Sequence, residues 1–226
     1  MAEVFKWAQE ARIFYEKKSM AKYISHLDIM QTFSRAIKRA RIPVWYTEGF
    51  NPRAFLSFSA PLPLGVESFC ETCDIRLTEE CDFDILCKIL DEALPEDIHI
   101  KYIDKPVYKA SDIAFSKYEI IFNEIEDNDF LYIINKFKDD EIYITKKVKK
   151  GRERLVKLVN IKDNIKSCSP DDENPYTLNI ILTSGMQNNV NPISLLKSLT
   201  SDMTYDMDKA DIIKKETFLE NMQIFQ

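Results

Sequence analysis

The chain has 226 residues, 45% of them hydrophobic and 12% aromatic, with a net charge of −6 and five cysteines. At about 150 residues per domain, this composition supports a buried core in one large domain or two small ones, and it excludes a mainly disordered chain. No apolar run approaches the ~18 residues that cross a bilayer and no apolar leader opens the chain, so a cytoplasmic protein with reduced cysteines and no membrane partner is expected.

Ala11–Lys18 reads as a strand that runs into a short polar turn. Ser25-His26-Leu27-Asp28 resembles a capping box with Asp in place of Glu: the hydroxyl takes an orphan amide and the carboxylate sits near the positive helix end. Leu27, Met30, Phe33, Ile37 and Ala40 recur at helical spacing and predict one buried stripe, with Pro43 ending the helix. Thr47–Arg53 is a turn-rich loop, Phe55–Ala60 a short strand, and Pro61–Gly65 a connector. Ser68–Leu77 predicts a strand, Asp82–Leu94 a helix and Ile98–Ile103 a strand, which completes βαββαβ, the split-βαβ unit.

A weaker copy follows a Pro-containing connector. Tyr118–Phe122 reads as a strand, Asp129–Phe137 as a helix, and Ile142–Val148 with Leu155–Ile161 as a hairpin across the basic turn Lys149–Arg152. Lys162–Pro175 reads as a polar loop, Tyr176–Leu182 as a strand, Pro192–Leu199 as a helix capped by Asn191, and Ala210–Phe218 as the last strand. The expected fold class is α+β, two tandem ferredoxin-like (split βαβ) domains, residues 1–107 and 108–226.

Charge is unevenly placed. Residues 12–53 hold nine Lys/Arg against three acids, a balance of +6, so the rest sums to −12. Such a segment is either a solvated helix face or a local device for a polyanion. Arg35 and Arg39, four apart, share a helix face, with Lys38 beside them and Arg41 and Arg53 as extensions; guanidiniums so spaced suit phosphate or carboxylate. Tyr46 and Phe50 offer stacking surfaces for unpaired bases, or serve the core. In Glu48-Gly49-Phe50-Asn51-Pro52-Arg53, Gly49 permits a positive φ and Asn51-Pro52 favours a turn, giving a structural corner or a ligand clamp.

His26, one of two histidines, would shuttle a proton or donate to phosphate, or merely satisfy local hydrogen bonds at a helix start. Glu67 and Glu71 are expected on one strand face, as ion-pair partners or substrate ligands. Cys70 and Cys73, with Cys81 and Cys87, match no recurring zinc spacing. The basic segment Lys146–Arg154 reads as a hairpin tip for nucleic-acid backbones or as a charged edge that blunts aggregation. No P-loop, dinucleotide fingerprint, zincin motif or serine elbow is present, so neither metal nor cofactor is assigned.

Taken together, Tyr23–Met30 (with Ser25, His26 and Asp28), Arg35–Ala40, Ile42-Pro43, Glu48–Arg53, Pro61–Gly65 and Glu71 form a long signature. It resembles the radical SAM-linked protein family, a bacterial domain of unknown function. The resemblance implies a C-terminal extension of a cobalamin-binding-type radical SAM protein or a separate protein encoded beside one, often near an E/G-type ribonuclease and ribosomal proteins. It brings no established activity. With only a short segment before the first strand and no C-x3-C-x2-C cluster motif, the chain is expected to be the stand-alone form, an accessory protein partnered with a separate radical SAM enzyme and binding RNA or a ribosome-related particle.

Two alternatives accompany that reading, a metal-independent RNA-processing or RNA-modifying enzyme using His26 and a binder of small anionic metabolites. The tandem architecture is also similar, at the level of fold alone, to CRISPR repeat-processing endoribonucleases. Ser184-Gly185-Met186-Gln187 lacks their Gly-rich loop.

Overall fold

The computed structural model describes residues 7–150, 153–185 and 189–226. It is an α+β protein with four α-helices among those residues. Of the described residues, those up to 112 with 225–226 form one compact unit and those within 113–224 a second. The turn at 151–152 and the segment 186–187, both singled out from sequence, lie outside the described residues.

The first unit runs β1 (Gln9–Lys17), α1 (His26–Arg39), β2 (Leu56–Phe58), β3 (Val66–Leu77), α2 (Phe83–Ala93) and β4 (Ile98–Asp104). Its strands lie in the order β4-β1-β3-β2, all antiparallel. Ala11, Ile13 and Tyr15 of β1 alternate inward onto Phe33, Ala36 and Ile37 of α1 and Leu86 and Leu90 of α2, the period-2 and period-3.6 patterns meeting in one core.

The Ser25 hydroxyl caps α1, accepting from the Asp28 amide at 3.2 Å and donating to the Asp28 carboxylate at 2.6 Å, a cap worth about 1 kcal/mol. Arg41 is left-handed (φ 54°) just past the helix, and the Ile42 amide returns to the Ile37 carbonyl at 3.1 Å, closing the terminus in the manner of a Schellman turn. The expected stripe is corrected here. Ile29, Phe33, Ala36 and Ile37 are buried, whereas Leu27 is 69% exposed. Positions 29, 33 and 36 share the helical spacing too, and the helix is turned to bury them.

A bulge corrects a second expectation. Between Tyr15↔Glu71 and Lys17↔Ser68, β1 advances two residues and β3 three. The extra residue flips the alternation, so Glu71 faces inward with Ser68, and Glu67 stays outside with Lys22 at 3.6 Å.

Arg12, read from sequence as part of the basic segment, is 1% exposed. Its guanidinium grips Asp74 through Nε (2.6 Å) and Nη2 (2.8 Å), donates from Nη1 to the Gln226 carbonyl (2.8 Å), and lies 4.4 Å from the Phe225 ring centroid. These contacts hold the last two residues in the first unit, which a linear boundary does not anticipate.

The second unit runs β5 (Ile113–Phe122), α3 (Asp127–Lys136), β6 (Tyr143–Lys150), β7 (Glu153–Asn160), β8 (Ile165–Pro170), β9 (Thr177–Thr183), α4 (Pro192–Leu199) and β10 (Ala210–Leu219). Strands β10-β5-β9-β8 pair in that order, antiparallel, and β6-β7 form their own two-stranded sheet. β8 replaces the expected polar loop. Its sequence, IKSCSP, half-buries only Ile165 and Cys168, so an edge strand with polar alternates carries no hydrophobic period to read.

Candidate functional site

The loop Glu48–Arg53 is the end of a small hairpin. Tyr46 bridges Ala54, the Thr47 amide donates to the Arg53 carbonyl (2.8 Å), and the Arg53 amide returns to the Thr47 hydroxyl (3.1 Å). At its base, Trp45 and Phe55 sit 6.0 Å apart, the Trp45 amide bonds the Arg76 carbonyl (2.6 Å), and the Arg76 guanidinium lies 4.1 Å from the Phe55 ring and 3.5 Å from Trp7. Cation–π stacking of this kind clamps the base to β3.

The tip beyond is uncovered. Glu48, Gly49, Asn51 and Arg53 are exposed, Tyr46 is 45% exposed and Phe50 is 105% exposed. Gly49 holds φ 123° with nothing within 4 Å of an added Cβ, so glycine is required there for conformation and not for space. A phenyl ring held wholly in water on an anchored tip has no folding role.

The cations sort into spent and available. Lys17 is buried, Lys18 pairs with Glu16, and Lys22 with Glu67. Arg39 donates to the Ala93 carbonyl at the C-terminus of α2, tying two helices together through one of its five donors. Arg35 reaches Gln31 at 3.4 Å. Lys38, Arg41 and Arg53 are exposed with no side-chain partner among the described residues. The basic surface is therefore the last turns of α1, Arg41 and the hairpin.

His26 and Glu71 belong elsewhere. Both line a crevice of about 10 Å³ beneath the first turn of α1, with Tyr15, Lys17, Phe58 and Leu62. Ser68 is fully buried and donates to the Glu71 carboxylate (2.7 Å); Lys17, 3% exposed, donates to the Ile24 carbonyl (2.8 Å) just before the Ser25 cap. His26 stands half-buried, its ring edge-on to Phe58 with centroids 5.6 Å apart. Gly65, left-handed at φ 84°, donates to the Lys22 carbonyl (2.8 Å) and closes the connector.

Burial lowers the Lys17 pKa, with Glu71 opposing. Burial, then the Glu71 and Cys73 charges, raises that of Tyr15. A raised tyrosine contributes stability that is complete below about pH 10 and is lost as pH climbs through the folded value, because only the unfolded chain then releases the proton. Lys17 acts in the opposite sense, its burial cost fading as pH rises toward 10.5. Tyr15→Phe is expected to flatten the fall in stability above pH 10, measured by urea denaturation at stepped pH.

Lys17, Tyr15 and Ser68 were missed from sequence. The available signal was a lysine closing an otherwise inward-facing run, Ile13, Tyr15, Lys17, which a solvated strand end does not require. The cysteines are all free. Among the described residues no group of His, Cys, Asp and Glu is arranged to hold a metal ion, and no helix is long and apolar enough to cross a membrane.

The profile of an uncharacterized protein family conserved in bacteria, DUF2344, matches residues 10–192. The chain belongs to this family. The match to DUF2344 runs from the first unit into the second, ending at the start of α4, and includes the Glu48–Arg53 hairpin, the basic helix and the crevice. No curated protein matches the chain significantly. Among solved structures, this DUF2344 member is similar to a chain in the crystal structure of a Cbf5-Nop10-Gar1 complex, with 8% identity and a TM-score of 0.46. That likeness covers 92% of this chain and 48% of the other, so the chain spans about half the length of the one it matches.

Proposed function

We propose that this chain is a non-catalytic accessory protein that binds RNA through the Glu48–Arg53 tip and the basic end of α1, and presents it to a separate radical SAM enzyme of the cobalamin-binding type. The observation that carries the RNA half is the wholly exposed Phe50 on an anchored tip that also carries the exposed Arg53. Aromatic faces take unpaired bases, and lysine and arginine take the phosphates between them. The partner enzyme rests on the sequence signature.

We also read each unit as ferredoxin-like. The orders β4-β1-β3-β2 and β10-β5-β9-β8 support this, with β6-β7 inserted in the second.

The test is binding of the protein to a cellular RNA pool, titrated with salt, against Arg35→Ala/Arg39→Ala/Arg53→Ala. Wild type is expected to lose affinity steeply with salt. The triple variant should bind weakly, with a log–log slope shallower by about 2, at ~0.7 per phosphate contact in single strands. No binding by wild type at low salt defeats the RNA half. Failure to co-purify with a neighbouring radical SAM enzyme defeats the other.

The crevice supports a second reading. His26, Lys17 and Glu71 share one recess, and clusters of buried titratable groups mark acid–base sites. In this reading the chain itself processes or modifies RNA without metal, His26 moving the proton. RNA left intact and unmodified by both wild type and His26→Ala would end it. A crevice of about 10 Å³ holds no more than one water, so a substrate would meet His26 at the mouth of the crevice.

A further inference from the structure

The β6-β7 hairpin has features the RNA reading leaves unused. Among the described residues β7 pairs with β6 alone, so its outer edge carries main-chain N–H and C=O groups with no strand partner. Exposed edges of this kind are templates for another chain. The hairpin is anchored through its inward residues and along β6. Ile142, Ile144 and Ile161 are buried, the Ile161 amide bonds the Ile142 carbonyl (2.8 Å), and the Ser198 hydroxyl of α4 donates to the Tyr143 carbonyl.

The free side is apolar where a charged guard would be expected. Val156 and Leu158, two residues apart and so on one face, are each 66% exposed. Leu158 opposes Thr145 in the ladder and borders a groove of about 380 Å³ whose far wall is α4, with Lys197 and the hydroxyls of Ser194, Ser198 and Ser201. Charge selects what fits. Residues 145–158 contain seven Lys/Arg and one acid, Glu153, a balance of +6.

We propose that β7 docks an extended segment of a partner protein, apolar at alternate positions and acidic between them, which adds as a third strand to the β6-β7 sheet. Main-chain hydrogen bonds along β7 supply affinity. Val156 and Leu158 meet the apolar side chains, and Lys157, on the opposite face and beside its ladder partner Lys146, meets the acidic ones. Aliphatic side chains offer bases no stacking face, so an acidic peptide suits this edge better than RNA does. The inference is independent of the RNA surface, whose variants lie on α1 and the Glu48–Arg53 tip.

The test is selection of a displayed random 12-residue peptide library on the full chain, followed by titration of a selected synthetic peptide. Enriched peptides are expected to alternate apolar and acidic residues and to shift the amide resonances of 153–160. Affinity should fall about tenfold or more in Val156→Ser/Leu158→Ser and weaken in Lys157→Glu, with thermal melts confirming that both variants fold. Enrichment of peptides without acidic bias, binding equally strong in the double serine variant, or no enrichment would each overturn the proposal. So would shifts at these amides produced by polyuridylate RNA in place of peptide.

Discussion

Lys17→Met is expected to lower the unfolding free energy by about 3–5 kcal/mol, the range for leaving a buried charge without its compensating neighbour, since Glu71 is the charge that acts on Lys17. Glu71, 4% exposed, would lose the nearby cation and keep the Ser68 hydroxyl (2.7 Å) as a donor. The Ile24 carbonyl would lose its donor as well, loosening the turn that delivers His26 to the crevice. Urea denaturation of the single variant and of Lys17→Met/Glu71→Leu separates the two contributions. The double variant should recover much of the loss, because matched apolar replacement removes the desolvation cost with the attraction. A single variant as stable as wild type would mean that Lys17 and Glu71 are not energetically coupled.

Arg12→Met is expected to cost about 3 kcal/mol, the lower end of that range, since Asp74 keeps 25% of its side-chain surface exposed. Two guanidinium bonds to Asp74, one to the Gln226 carbonyl and the stack on Phe225 go together. Loss of amide-exchange protection at the C-terminus, along with the shift in urea midpoint, is the signature. A midpoint shift with the terminus still protected would assign the whole effect to Asp74.

How much of this was legible in the sequence follows from which forces leave a local pattern. Helix α4 was read with its Asn191 cap and both bounds because the fixed φ of Pro192 and the Asn191 side-chain cap set the start locally. The Ser25 cap was legible for the same reason. The inward face of α1 was misassigned at Leu27 because two stripes of equal spacing fit the segment, and only the sheet beneath chooses between them. Glu71 was assigned to the wrong neighbours because a single bulge residue in β3 inverts alternation without altering composition. Arg12 was counted as surface charge because its partners, Asp74 and the last two residues, are remote in sequence. The hairpin tip was legible as a turn from Gly49 and Pro52, yet its clamp by Arg76, Trp7, Trp45 and Phe55 depends on the register of β3.

The most direct test of RNA binding at the tip is the affinity of a single-stranded 12-nucleotide RNA for wild type and Phe50→Ala across a salt series. Stacking is short-ranged and uncharged, so Phe50→Ala is expected to weaken binding about ten- to hundredfold by the same factor at every salt concentration. Its salt slope should stay parallel to wild type. Equal affinities at all salt concentrations would contradict the account, leaving Phe50 and its tip to a partner other than RNA.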